Sequence, residues 1–125
     1  MKNKVFSNHA DKINEVILIG DQTSEMIDQV LTETMKLDIE LERLHGRVAT
    51  LFDLREIGHY DHLVVNAAMR GMKTINFDKV AILGISQVGK DLLQPIIAMT
   101  GKDKNVYFFD DRDEAIKWLA QVDVV

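Results

Sequence analysis

Cysteine is absent from this chain, proline and tryptophan occur once each, and basic residues are outnumbered by acidic ones, 15 to 20. Without cysteine there is no disulfide scaffold, no thiol chemistry and no cysteine-ligated zinc, and the composition suits a reducing compartment. The formal charge of -5 and a pI near 5.3 leave no basic stripe for neutralising phosphates, so neither DNA nor RNA is an expected partner. No window approaches the roughly 20 consecutive apolar residues of a membrane-spanning helix, so stable membrane insertion is not expected. The opening residues, MKNKVFSNHADKI, carry basic side chains without the apolar stretch of a secretion signal, and a cytoplasmic location is the expectation.

What is present is a chain of 125 residues, 46% hydrophobic, long enough to bury a core without metal or disulfide support. One domain over residues 1–125 is expected, with no linker, low-complexity tract or internal repeat. Lys4 to Asn8 and Asn14 to Gly20 read as two strands around a polar connection, an opening hairpin. Ser24 to about His45 reads as a helix that Ser24 could cap and Gly46 ends. The alternation KLDIELERL between Lys36 and Leu44 would also suit a half-buried strand, but Glu40, Glu42 and Arg43 favour helix.

Val48 to Leu54 is the next expected strand, followed by a loop from Arg55 to Tyr60. A helix from Asp61 to Thr74 follows, with Asp61 as its N-cap and Leu63, Val64, Ala67, Ala68, Met69 and Met72 as its apolar face. Lys79 to Gly84 is so continuously apolar that it reads as buried on both sides and as the centre of the sheet. Ser86 can cap a helix to Thr100 that Gly101 terminates, and Pro95 inside it predicts a kink or a late start. Asn105 to Phe109 is the last strand, and Asp111 opens a final helix with Ala115, Trp118, Leu119 and Val122 on one face. Strands alternating with helices in this order predict an α/β domain with a mostly parallel sheet, right-handed crossovers and an antiparallel strand at the N-terminal edge.

Three features could carry chemistry. Gly84-Ile85-Ser86-Gln87-Val88-Gly89-Lys90 follows a strand, opens a helix and fits the first seven positions of a phosphate-binding loop. The next residue is Asp91, where a magnesium-ligating hydroxyl is required, so a capped helix start is the preferred reading. The second feature is Asp53 with His59, Tyr60, Asp61 and His62, at and beyond the carboxyl end of a strand, where ligand sites of open α/β sheets gather. Two histidines and two aspartates could bind a divalent metal, or a histidine beside an aspartate could act as a base. His59 and His62 lack a diagnostic spacing or a third ligand, and a solvated loop with an aspartate cap is the plainer reading. Neither a metal nor another cofactor is expected. No serine lies in a recognisable nucleophile elbow. Third, Met69, Met72, Ile96, Ile97 and Met99 on successive helices are core in the plain reading and a lining for a hydrophobic ligand in the functional one.

The run from Thr74 to Ala120, TINFDKVAILG followed by VYFFDDRDEAIKWLA, resembles the second half of the SpoIIAA-like, or STAS/SEC14, domains of bacteria. The resemblance is carried by Phe77, Lys79, Val80, Ala81, Gly84, Phe109, Asp110, Glu114, Ala115, Trp118 and Leu119, and the preceding order of VILIG, long helix and VATLFDL extends it over most of the chain. It implies a single STAS-like domain with a mixed, mostly parallel sheet of about five strands, helices largely on one face, and no enzymatic activity. In anti-sigma-factor antagonists of the STAS type, a strand ending in Asp-Leu leads to an Asp-Ser-Ser-Gly helix start where a serine is phosphorylated. Phe52, Asp53 and Leu54 match the strand end and Asp61 matches the aspartate, but His62, Leu63 and Val64 replace the serines and glycine. A phosphoryl group needs a hydroxyl acceptor, and only Tyr60 offers one locally. The resemblance therefore implies a regulatory or binding module that meets a protein partner or small ligand at Asp53, His59, Tyr60, Asp61 and His62. A carrier of a hydrophobic small molecule or lipid is the alternative. Exposed edge strands make a homodimer reasonable.

Overall fold

The computed structural model describes residues 2–121. The chain begins with the antiparallel strands β1 (Lys4–Asn8) and β2 (Ile13–Gly20), continues through α1 (Ser24–His45), β3 (Ala49–Ile57), α2 (His62–Thr74), β4 (Lys79–Leu83) and α3 (Gln87–Met99), and ends with β5 (Val106–Phe109) and α4 (Arg112–Ala120). The strands form one sheet in sequence order, β1 to β5, and every pairing after the first is parallel. Each parallel link needs a crossover, and α1, α2 and α3 supply them.

The centre of this sheet is β3, not β4 as its apolar sequence had suggested. β3 pairs with β2 on one side and β4 on the other. The burial of all five residues of β4 comes from helices covering both of its faces rather than from a central position. β3 is also longer than VATLFDL. Arg55, Glu56 and Ile57 extend it because β2 runs on to Gly20, pairing Ile19 with Glu56 and Gly20 with Ile57 after a register shift. A charged pair of residues at the end of a strand obscures that continuation in the sequence.

Successive strand side chains point to opposite faces, which divides the core in two. Ile13, Ala49, Leu51, Ala81 and Leu83 meet Ala115 and Leu119 of α4 on one face. Val16, Leu18, Val80, Ile82 and Val106 meet α1, α2 and α3 on the other. Among the described residues three helices lie on one side and one on the other, in line with the helices largely on one face that the family resemblance implies.

Local signals set the helix ends. The cap of α1 is Thr23, whose hydroxyl accepts from Met26 N, one residue before the expected Ser24. Gly46 terminates α1 with φ of 71°, in the left-handed region that glycine occupies without a Cβ penalty. Asp61, Ser86 and Asp111 cap α2, α3 and α4 through their side chains. The inward stripe of α1 is Ile27, Val30, Thr34, Asp38 and Leu41, spaced by three or four residues as a helix requires. Residues 36–44 are therefore helical and not a strand. α3 runs continuously through Pro95. A single turn of 3₁₀ helix, Asp103–Asn105, delays β5 to Val106. Val122, expected on the inner face of the last helix, lies outside the described residues.

Cations close the carboxyl ends of two helices, where backbone carbonyls lack partners and the helix dipole is negative. Lys79 is buried at the start of β4, and its Nζ donates to Trp118 O at 3.0 Å and Gln121 O at 2.9 Å. It also lies 4.8 Å above the Trp118 ring. Lys102 Nζ does the same for α2, donating to Met72 O at 2.7 Å and Ile75 O at 2.8 Å. Lys79→Met, which keeps the apolar stem and removes the ammonium, is expected to destabilise the fold by about 1–2 kcal/mol. Trp118 is the sole tryptophan, so its emission reports the end of α4 directly. Denaturant unfolding followed by that emission checks the effect, and an unchanged midpoint would show that Lys79 is dispensable.

Candidate functional site

The loops that follow β2 and β3 meet at the carboxyl end of the sheet. Gly58 N donates to Gly20 O at 2.8 Å, and Gln22 N donates to His59 O at 2.9 Å. His59 N donates to the Asp21 carboxylate at 2.8 Å. Gly58 is required by this close approach, because a Cβ there would lie 2.9 Å from the backbone nitrogen of Asp21. The main chain of the loop is thus held from both sides while the side chains of His59, Tyr60 and His62 remain exposed.

Asp61 is occupied differently from its neighbours. Its Oδ1 accepts from Leu63 N at 3.0 Å and Val64 N at 3.2 Å, closing the first turn of α2. A carboxylate with those two donors is a helix cap, and the residue is exposed. Tyr60 reaches toward α3, its hydroxyl lying 3.4 Å from where a Cβ on Gly89 would stand. Beside it are exposed apolar residues on the first turns of α2 and α3: Leu63, 52% exposed, and Val88, 79% exposed. Tyr60, Leu63 and Val88 make the rim of this end of the molecule partly apolar.

Asp53 is not brought to that loop. It belongs to the α4 face of β3, opposite Phe52 and Leu54, and is buried. Its carboxylate accepts from Arg55 Nε at 3.0 Å, Arg55 Nη2 at 2.8 Å and Arg55 N at 3.0 Å. Burial pushes this carboxyl up, and the Arg55 bonds outweigh it, so the group is held below its ordinary range. The sequence reading placed Asp53 with the histidines from its position at a strand end. Strand alternation sends it to the other side of the sheet.

Next to Asp53 lies a network that sequence reasoning missed. Glu15 of β2 is buried on the α4 face, where Arg112 donates to it with both terminal nitrogens, at 2.6 and 2.9 Å. Asn8 of β1 donates to the same carboxylate at 2.8 Å. Burial acts to raise the Glu15 carboxyl, and Arg112 and Asn8 overcome it, leaving it below the ordinary range. These partners are 97 and seven residues apart in the chain, so no local pattern joins them. The one available signal was a charged residue in an otherwise apolar strand, NEVILIG, since a buried charge demands a partner.

The candidate motif after β4 is a capped helix start. Ser86 Oγ accepts from Gly89 N at 3.2 Å, and Asp91 receives Gln87 Nε2 at 2.8 Å. Among the described residues, no group of three or more histidine, aspartate or glutamate side chains is placed to hold a metal ion. No described helix is long and apolar enough to cross a membrane.

A separate cavity of about 120 Å³ lies between the sheet and α1, α2 and α3. Of the five residues of the methionine stripe, Met69, Met72 and Ile97 line it, whereas Ile96 does not and Met99 is exposed. Its few polar lining residues are Thr34, Asp38 and Thr50, which had not been singled out.

Arg112→Ala is expected to destabilise the protein by about 1–3 kcal/mol at pH 7, because Glu15 would be left charged and buried with only Asn8. In the intact protein the lowered pKa of Glu15 contributes stability above its unfolded value of 4.5 that is lost as pH falls through the folded value. Without Arg112, burial dominates and the Glu15 carboxyl rises. The difference between the two proteins should therefore narrow as pH falls from the raised folded value of the variant to the lowered one of the parent, and a gap independent of pH would contradict this pairing.

Comparison with known proteins follows the same architecture. No curated protein matches the chain. Among solved structures, the unphosphorylated form of the anti-sigma factor antagonist SpoIIAA is similar with a TM-score of 0.65 and 13% identity, over 96% of this chain and 99% of the other. An uncharacterised protein with a SpoIIAA-like fold from Shewanella loihica PV-4 is similar at 0.61 and 22% identity, over 94% and 91%. An anti-sigma-factor antagonist (STAS) domain protein from Planctomyces limnophilus is similar at 0.59 and 13% identity, over 97% and 100%. These likenesses concern the fold, and the sequence itself matches the SpoIIAA-like family model over residues 13–120. With that match spanning nearly the whole sheet and its helices, the chain belongs to the SpoIIAA-like family.

Proposed function

We propose that this chain is a non-enzymatic regulatory module that recognises a protein partner through the loop between β3 and α2. The observation that carries this reading is the contrast between a fixed main chain and free side chains. Gly58, His59 and Gln22 tie the loop to the end of β2, while His59, Tyr60 and His62 remain exposed. A surface ordered before contact loses little conformational entropy on binding. The adjoining Leu63 and Val88 add apolar area of the kind that binding centres use, and tyrosine is enriched at such centres. Family membership supports a regulatory role, and the fold neighbour SpoIIAA is, by its description, an antagonist of another protein.

This reading does not include control by a serine phosphate at the start of α2. The residues there are Asp61, His62, Leu63 and Val64, and none carries a hydroxyl. Asp53, buried on the α4 face and bonded to Arg55, is not part of this surface.

A second reading, carriage of a hydrophobic small molecule, is favoured by one observation: the 120 Å³ cavity beneath α1, α2 and α3, lined mainly by apolar side chains. The two readings use different parts of the molecule and are compatible.

The loop reading is tested by replacing His59, Tyr60 and His62 together with alanine while keeping Asp61, so that the α2 cap is intact. A partner captured from extract by the parent protein, and by an exposed α1 control such as Glu33→Ala, should bind the triple variant at least about tenfold more weakly. Equal binding by all three proteins would remove the loop from the interface.

A further inference from the structure

The cavity has one polar end, and its chemistry is specific. Asp38 stands on the inward stripe of α1, one turn after Thr34, and is only 6% exposed. Its Oδ1 accepts from Asn14 Nδ2 of β2 at 2.8 Å. Its Oδ2 is buried without a hydrogen-bond partner among the described residues, and Asp38 lines the cavity. Thr34 beside it donates its hydroxyl to Val30 O at 2.7 Å, so that oxygen can only accept from anything entering the cavity. The remaining surroundings include Phe52, Met69, Met72 and Phe77 and offer no compensating charge. Burial pushes the Asp38 carboxyl up to about 6, against the lowering effect of Asn14.

A buried carboxylate oxygen with no partner is costly, and an apolar residue would pack this stripe of α1 better. The group does have a use if a hydrogen-bond donor arrives from the cavity side. Resting on the carrier reading above, we propose that the cavity binds a small amphiphile with an apolar body and one hydrogen-bond-donating head, in its simplest form an alcohol, whose hydroxyl donates to Asp38 Oδ2.

Both size and polarity limit the ligand. An apolar cavity of roughly 150 Å³ holds benzene, so the 120 Å³ here suits a molecule of about six non-hydrogen atoms or the end of a longer chain. An acceptor-only head would face the Asp38 carboxylate and the Thr34 lone pairs with nothing to receive. An anionic head would be repelled by Asp38 above the pH at which it gains a proton.

The test compares two probes of equal size, 1-pentanol and methyl butyl ether, which differ in having or lacking a hydroxyl donor. Each is titrated into the full chain at about pH 7.5, where Asp38 is ionised, and binding is read from the methyl resonances of Met69 and Met72. The alcohol is expected to bind about tenfold more tightly or better, the worth of a hydrogen bond to a charged acceptor. In Asp38→Asn the unpartnered oxygen becomes an amide donor, from which alcohol and ether can both accept, so the preference for the alcohol should be lost. The comparison in the unsubstituted protein stands even if that variant folds poorly. Equal binding of the two probes would overturn the head-group assignment and leave an apolar carrier standing. Failure of both probes to shift either methionine at saturating concentration would overturn the carrier reading and the assignment with it.

Discussion

Parallel pairing of β3 on both of its sides is the constraint on which the rest of the molecule depends. A strand bonded to neighbours along both edges cannot slip by one residue without exchanging the two faces of the sheet. In β3 that alternation sends Ala49, Leu51 and Asp53 toward α4, and Phe52 and Leu54 toward the three-helix face. The apolar members fill two cores. The polar members become the opportunities for function, because each must be paired, exposed or left waiting for a partner. Asp53 is paired with Arg55, the loop residues His59 to His62 are exposed, and Thr50 lines the cavity.

The two faces manage buried polarity in different ways. On the α4 side, Glu15 and Asp53 are each met by a guanidinium, and both carboxyls are kept charged. On the three-helix side, Asp38 has Asn14 on one oxygen and nothing on the other. The first arrangement is closed, and its Glu15 bonds tie β1, β2 and α4 together. The second borders an apolar space. The two paired carboxylates and the single half-paired one thus differ in what meets each oxygen.

Much of the fold was legible because it rests on short-range signals. The caps Asp61, Ser86 and Asp111, the terminating Gly46 and the apolar runs of β2 and β4 each act within a few residues of where they are read. What the sequence concealed depends on contacts between distant segments. The central position of β3, its extension through Ile57 and the pairing of Glu15 with Arg112 are of this kind. Of the candidate site, His59, Tyr60, Asp61 and His62 are exposed, whereas Asp53 is buried on the α4 face. Asp38 escaped notice for a related reason. Apolar residues Leu37 and Ile39 flank it, and only the helical spacing from Val30 through Thr34 to Leu41 reveals that the aspartate, not Ile39, faces inward.

Function in this account begins with a loop whose main chain is ordered before any partner arrives. Amide hydrogen exchange of the free protein tests that directly at Gln22, Gly58 and His59. Gly58 and His59 are exposed and Gln22 is buried, and the amides of Gln22, Gly58 and His59 donate to His59 O, Gly20 O and the Asp21 carboxylate. These three amides should exchange on the order of a hundredfold more slowly than in an unstructured peptide. Exchange at the peptide rate would mean that the loop is ordered only on contact, and the claim of a preformed recognition surface would fail.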